Sequence, residues 1–224
     1  MPPSTKARRH GVNTNLHLHH ADSFCGLPVM SRHAPFIQEY LGRLHDTLLR
    51  ALDEHPRTLA LRFDLRLPEE ELFPLWEFTN QVMPRFIDSL KAKIANDRER
   101  SHQSYGKVHH TSVRYVWARE LGLTGKPHYH CVLFLNQDAY FSFGRIGSGQ
   151  ENTYSRIQSA WASALRLPDE DVTGLVHVPD NSTYRLRRGD TEGLEAFFHR
   201  ASYLCKAETK GYGDGQHAFG CSRS

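Results

Sequence analysis

The chain has 224 residues, 39% of them hydrophobic, with 28 Lys and Arg against 25 Asp and Glu and a net charge of +3 with histidine neutral. That is enough apolar material for one core of ordinary size, and too small a charge imbalance to identify a nucleic-acid binder by itself. No apolar run is long enough to span a bilayer, and none follows Lys6, Arg8 and Arg9 to make a signal peptide, so a cytoplasmic protein is expected.

Residues 1–34 are rich in Pro, Ser, Arg, His and Asn, with scattered apolar positions, and read as a flexible, basic, histidine-rich tail or an arm that orders on binding. Residues 35–57 predict a separate helical segment. Ile37, Tyr40, Leu41, Leu44, Leu48, Leu49 and Leu52 recur at helical spacing, and Pro56 lies just beyond the end. Residues 58–224 then form the main domain. Thr58 to Leu67 is the cleanest strand, with Leu59, Leu61, Phe63, Leu65 and Leu67 alternating with Ala60, Arg62, Asp64 and Arg66. Pro68 and Glu69, Glu70 and Glu71 suit a helix start. A helical period follows from Leu72 to Ile94, kinked or split at Pro84. Asn96 to Gly106 is polar and reads as a loop.

Ser112 to Glu120 is a second strand, and Leu121 to Lys126, with two glycines, a turn. His128 to Leu135 is a third strand whose continuous run Cys131-Val132-Leu133-Phe134-Leu135 suits a position buried on both faces. These two strands should pair as an antiparallel hairpin. Helices are expected over Glu151–Leu165 and Thr191–Lys206, strands over Val172–Val178 and Tyr184–Leu186, and no period after Gly211. The fold class is therefore α+β, an antiparallel sheet with helices packed on it. The four cysteines, Cys25, Cys131, Cys205 and Cys221, stand far apart without a C-x-x-C pair, which argues against a zinc ribbon or a disulfide framework.

His128-Tyr129-His130 opens the buried strand. Alternation points His128 and His130 the same way, one pleat apart, and two imidazoles so placed can share a metal ion. His17-Leu18-His19-His20 spells the same pattern, but no apolar strand follows it, and those histidines read as solvated. Two imidazoles leave positions open on a hard cation, so an oxygen ligand is expected. Glu120 ends the preceding strand directly across the turn. Asp64, on the charged face of the first strand, is its rival. His102, His109, His110, His177 and His217 show no interpretable spacing.

On the last helix Leu194, Phe197, Phe198, Ala201 and Leu204 form the apolar stripe, whereas His199, Arg200, Tyr203 and Lys206 share a second face. Positive charge beside a tyrosine favours phenolate and stabilises charge on a phosphate. A weakly acidic phenol needs that help to act as a nucleophile. Arg62, Arg66, Arg114 and Arg200 are candidate phosphate contacts. A cupin is disfavoured because Phe134 and Leu135 stand where its glutamate is expected. A histidine-triad hydrolase is disfavoured because position 132 is Val.

Together these residues resemble a known set. Pro127-His128-Tyr129-His130 resembles the His-hydrophobic-His motif of the HUH endonucleases, Tyr203-Leu204-Cys205-Lys206 their late Y-x-x-K motif, and Arg62-Phe63-Asp64-Leu65-Arg66 their first motif, in the same order. More narrowly, Arg62–Arg66, Arg114-Tyr115-Val116-Trp117-Ala118-Arg119-Glu120 and Lys126–His130 resemble the YagK/YfjJ C-terminal domain family of bacterial prophages and inovirus-like elements. The resemblance implies a replication-initiator fold of ferredoxin- or RRM-like topology over residues 58–224. It also implies a divalent cation, Mg2+ or Mn2+, on His128, His130 and Glu120, and attack by Tyr203, assisted by Lys206, on single-stranded DNA or an origin hairpin. The 5′ end would be left on the tyrosine and a free 3′ hydroxyl would prime rolling-circle replication. His199 stands where two-tyrosine initiators carry a second tyrosine, so a single-tyrosine enzyme is implied. No helicase P-loop is present, so a host helicase and polymerase are implied partners. The competing expectation is a non-catalytic DNA-binding prophage protein that keeps the fold.

Overall fold

The computed structural model describes residues 8–68, 80–122 and 125–223. Four two-residue strands come first, β1 (Leu18–His19), β2 (Ser23–Phe24), β3 (Leu27–Pro28) and β4 (Phe36–Ile37), followed by helix α1 (Gln38–Glu54). Then follow β5 (Arg57–Arg66), α2 (Val82–Tyr105), β6 (Arg114–Leu121), β7 (Pro127–Asn136) and α3 (Thr153–Leu165). The chain ends with β8 (Val176–His177), β9 (Thr183–Arg187), α4 (Thr191–Ala201) and β10 (Phe219–Cys221).

The main sheet runs β10-β6-β7-β5-β8, with β9 also paired to β5, and every pairing is antiparallel. The mixed α+β class and the β6–β7 hairpin are as expected. Alternation then divides the molecule. Leu59, Leu61, Phe63 and Leu65 of β5 and Tyr129, Cys131, Leu133 and Leu135 of β7 pack with Phe86, Ile157 and Trp161 of α2 and α3. Ala60 of β5, Val116 and Ala118 of β6, and Val132 and Phe134 of β7 face the other way, against α1, α4 and the N-terminal segment. The sheet is thus covered on both sides, and β7 is buried on both faces, as its unbroken apolar run requires.

Several expectations are corrected. Residues 8–34 are not a loose tail: β1 pairs with β4, and Val29 and Met30 are buried with α1 and α4 in one core. Because residues 29–52 share that core with the sheet, packing does not break at residues 34 or 57. The polar stretch after Asn96 is helical. Two of its polar residues tie it to α3 and its flanks: Asp97 binds Arg156 and accepts from Tyr140, and Arg100 pairs with Glu151. Gly106, at φ +76°, ends α2. Pro84 lies in the first turn of α2, where its missing N–H costs nothing. The expected helix start between Pro68 and Thr79 lies outside the described residues, save Pro68 itself. Val172 closes a short 3-10 turn rather than opening a strand. α4 stops at Ala201 and tightens into a 3-10 turn, Ser202–Cys205. The stretch after Gly211 supplies the edge strand β10. Among the described residues, no helix is long and apolar enough to cross a membrane.

Candidate active site

The register of three strands assembles a polar cluster on the sheet face shared with α1 and α4. Asp64 of β5 and Ala118 of β6 are both opposite His130 of β7, and Glu120 of β6 is opposite His128. Paired residues point to the same face, so Asp64, Glu120, His128 and His130 converge. One ligand atom from each of Glu120, His128 and His130 lies within 4.8 Å of the others. The two imidazole rings are 4.9 Å apart and nearly perpendicular.

His130 is held from one side. Its Nδ1 lies 2.6 Å from Asp64 Oδ1, and Arg62 Nη2 stands 3.5 Å from the same carboxylate. In a neutral ring that donates from Nδ1, Nε2 carries a lone pair. That Nε2 is buried without a hydrogen-bond partner, 3.4 Å from Glu120 Oε2. A lone pair facing a carboxylate oxygen suits a cation between them, and the carboxylate–histidine pair behind it is how proteins commonly orient a metal ligand. The chemistry of this donor set therefore fits a divalent cation on Glu120, His128 and His130, with Asp64 supporting His130 from behind.

Charge is concentrated on Glu120, which is 2% exposed. Lys210 Nζ donates to its Oε1 at 2.8 Å, Thr209 Oγ1 donates to Oε2 at 2.8 Å, and Lys206 Nζ stands 3.0 Å from Oε2. Burial pushes the Glu120 carboxyl up, but His130 and Lys210 outweigh it and hold it well below the ordinary carboxylate range. Asp64 is likewise lowered, burial being overcome by His130 and Arg62. His128 is lowered by burial and then by His130, which keeps it neutral and able to ligate. Lys206 is raised: burial works against its charge, but Tyr203 and Glu120 prevail. Lys210, whose side chain is fully buried, is lowered by burial in spite of Glu120.

Tyr203 lies in the 3-10 turn that follows α4. Lys206 Nζ donates to its hydroxyl at 2.7 Å. The His130 ring stands 5.2 Å from the tyrosine ring, His33 packs edge-on at 4.9 Å, and the Arg62 guanidinium lies 5.7 Å from its centroid. The N-terminal segment clamps this turn. Met30 N donates to Ser202 Oγ at 2.9 Å, Ala207 N donates to the Pro35 carbonyl, and Phe36 bridges to Lys206.

Seven residues singled out in the sequence, Arg62, Asp64, Glu120, His128, His130, Tyr203 and Lys206, thus meet in one place. Arg62 is buried beside Asp64, not displayed on an open sheet face. Arg66 is exposed and lines an open cleft with Lys126, His128 and His130. Arg114 is not brought to the cluster. It sits at the far end of β6, 2.8 Å from Glu54, because five residues of extended chain separate it from Glu120. Arg200 is half-buried on α4, near Tyr184, and the tightened turn removes the helical face it was expected to share with Tyr203. Sequence reasoning missed Thr209, Lys210, His33 and His177, the last opposite Asp64 on β8. Only the β-propensity around His177 was available as a signal. The other three arrive through tertiary packing of irregular segments.

A family model described as the YagK/YfjJ C-terminal domain matches residues 19–222. The chain is similar to uncharacterized protein YagK of Escherichia coli (strain K12), 34% identical over 199 residues, 85% of this chain and 95% of that protein. It is also similar to uncharacterized protein YfjJ of the same organism, 32% identical over 194 residues, 82% of this chain and 93% of the other. No solved structure matches it.

Proposed function

The chain belongs to the YagK/YfjJ C-terminal domain family, and from that premise and the surroundings of Tyr203 we propose that it nicks and transfers single-stranded DNA through a phosphotyrosine intermediate. The observation that carries the reading is the Tyr203 hydroxyl, held at 2.7 Å by Lys206 beside the Glu120–His128–His130 set. The HUH replication-initiator topology and the start of rolling-circle replication, with a host helicase and polymerase, belong to the same proposal.

Mg2+ or Mn2+ on Glu120, His128 and His130 would supply positive charge against a non-bridging oxygen of the scissile phosphate. The chain's own residues do the rest. Lys206 keeps its proton and sets its ammonium against the Tyr203 oxygen, where it steadies the charge that moves during attack. The phenol proton is lost to water. The Tyr203 oxygen bonds phosphorus, the bond from phosphorus to the 3′ oxygen breaks, and that oxygen takes up a proton and leaves as a 3′ hydroxyl. His130, fixed by Asp64, and the Arg62 guanidinium hold the tyrosine ring in place, so the hydroxyl meets the phosphate in one orientation. Arg66 and Lys126, on the open cleft beside the histidines, are placed to take neighbouring phosphates.

The test is a denaturation-resistant adduct between the protein and labelled single-stranded DNA in the presence of Mn2+. Tyr203→Phe should form none, because phenylalanine has no oxygen to attack phosphorus, while stability shifts by less than about 1 kcal/mol. His128→Ala should also form none, with partial rescue by excess cation. An adduct in Tyr203→Phe would move the nucleophile elsewhere. The engagement of Glu120 by Lys206 and Lys210 favours a second reading, in which the carboxylate is a structural counter-ion in a non-catalytic DNA-binding protein. DNA binding without any adduct, and without Mn2+ binding, would select it.

A further inference from the structure

A larger cavity than the cleft beside the histidines, about 730 Å³, opens at the β10 edge of the sheet between α1 and α2. α1 lines it with Arg43, Asp46 and Arg50, and α2 with Asp88 and Lys91. Steps of three, four and seven residues place each set on one helix stripe facing inward. Arg43 and Arg50 are roughly 10 Å apart along the α1 axis. Arg223 closes one end, its carbonyl accepting from Arg50 Nη1 at 3.2 Å.

These cations differ from the ion-paired arginines of the molecule. Arg57, Arg114, Arg119, Arg156 and Arg188 are all in ion pairs. Arg43, Arg50, Lys91 and Arg223 are exposed and form none among the described residues. The floor between them is aromatic. Lys91 Nζ stands 5.8 Å from the centre of the half-buried Tyr115 ring. Trp117 lies against Gly220, where an added Cβ would come within 2.5 Å of the indole. A side chain at position 220 would have to displace that ring, so glycine keeps the indole at the groove floor. Unneutralised cations on two walls over an aromatic floor match a polyanion that carries flat rings. Asp46 sits between the two arginines of the α1 stripe, and Asp88 lies one turn before Lys91 on α2. They repel a phosphate from the centre and can accept from the amino groups of bases, so the phosphates run along the rims.

We infer that this groove is a second nucleic-acid site, which binds single-stranded DNA by its backbone and bases away from the Tyr203 cluster. The inference rests on the proposed role in DNA processing for its ligand class, but not on the nicking chemistry. The test uses the full chain and a fluorescent 20-nucleotide single strand, read by anisotropy across a salt series. Arg43→Glu/Arg50→Glu/Lys91→Glu should bind at least tenfold more weakly at 0.1 M salt, and the slope of log affinity against log salt should shrink by about 2, three phosphate contacts at roughly 0.7 each. A normal thermal transition excludes misfolding, and Arg43→Lys/Arg50→Lys/Lys91→Arg should bind like the parent. Photocrosslinking of a bromouracil-substituted strand should label peptides containing Tyr115 or Trp117. Affinity within twofold of the parent after charge reversal, crosslinks confined to the Tyr203 cluster, or no binding by the parent chain would overturn the inference. Adduct formation by the charge-reversed protein with unchanged affinity removes the groove and leaves the nicking proposal. Strong groove-dependent binding with no adduct does the reverse.

Discussion

Glu120 has two ammonium neighbours, and they act differently. Lys210 holds Oε1 from a fully buried position, leaving Oε2 toward His130. Lys206 Nζ reaches both that same Oε2 and the Tyr203 hydroxyl, so it stands where a cation on Glu120 would compete with it. The two lysines should therefore have opposite effects on metal binding. Lys206→Met should tighten Mn2+ binding severalfold by removing the competitor, and Lys210→Met should weaken it about tenfold by freeing the carboxylate, as loss of an outer-shell partner does. Electron paramagnetic resonance of free Mn2+ measures both, and equal shifts would refute the division of labour. The strand residues of this cluster were legible because alternation is strict: His128 and His130 share a face by parity, and Glu120 follows from one hairpin. The choice between Glu120 and Asp64 was not legible. It depends on which imidazole nitrogen each carboxylate meets, and that is set by strand order and register. Lys210 was not legible either, because nothing local marks a lysine in an aperiodic segment as buried.

Among the elements, α2 shows most clearly where periodicity stops informing. Its apolar face ends near Ile94, yet the helix continues to Tyr105, and Asp97 and Arg100 tie this extension to α3 and its flanks. Asp97 is the centre, bound by Arg156, Arg98 and Tyr140. Its carboxyl lies below the ordinary range: burial raises it, and these partners more than reverse that. A folded value below the unfolded one means that its stabilisation is complete above the unfolded pKa, near 3.9, and is lost as pH falls through the folded value. Asp97→Asn should therefore lower the melting temperature at pH 7 by roughly 3–6 °C and change it less below about pH 4. A deficit of equal size at pH 3 and pH 7 would show that Asp97 acts through packing alone. The N-terminal strands were illegible for a related reason. Pairs of two residues carry no period, and only burial of Val29, Met30, Phe36 and Ile37 reveals that the segment belongs to the domain.

For the molecule as a whole, the sheet separates two cores, and the polar cluster lies in the layer that α1, α4 and the N-terminal segment build. The antiparallel sheet with covering helices was readable from the order of periods. That both faces would be covered was not, because the helices carry no mark of the face they choose. A cation bound only by the folded chain stabilises the whole domain by mass action. At one hundred times its dissociation constant the gain is about 2.7 kcal/mol, which should raise the melting temperature by roughly 5–10 °C. Mn2+ should produce this shift in the parent and in Tyr203→Phe, and a chelator should reverse it. His128→Ala should show little of it at the same concentration. A shift of equal size in all three would place the ion elsewhere.

The clamp of Met30 on Ser202 joins residues 172 positions apart. On a ribosome, which delivers the chain from its N-terminus, the β6–β7 hairpin with Glu120, His128 and His130 emerges long before residues 202–207 do. Residues 30–36 must wait for that turn before they can seat it. A nascent chain can therefore display Glu120, His128 and His130 while it still lacks the tyrosine and its strap has no turn to hold. If Tyr203 is the nucleophile proposed above, the order of synthesis keeps its hydroxyl away from nearby nucleic acid until almost all of the domain has been made.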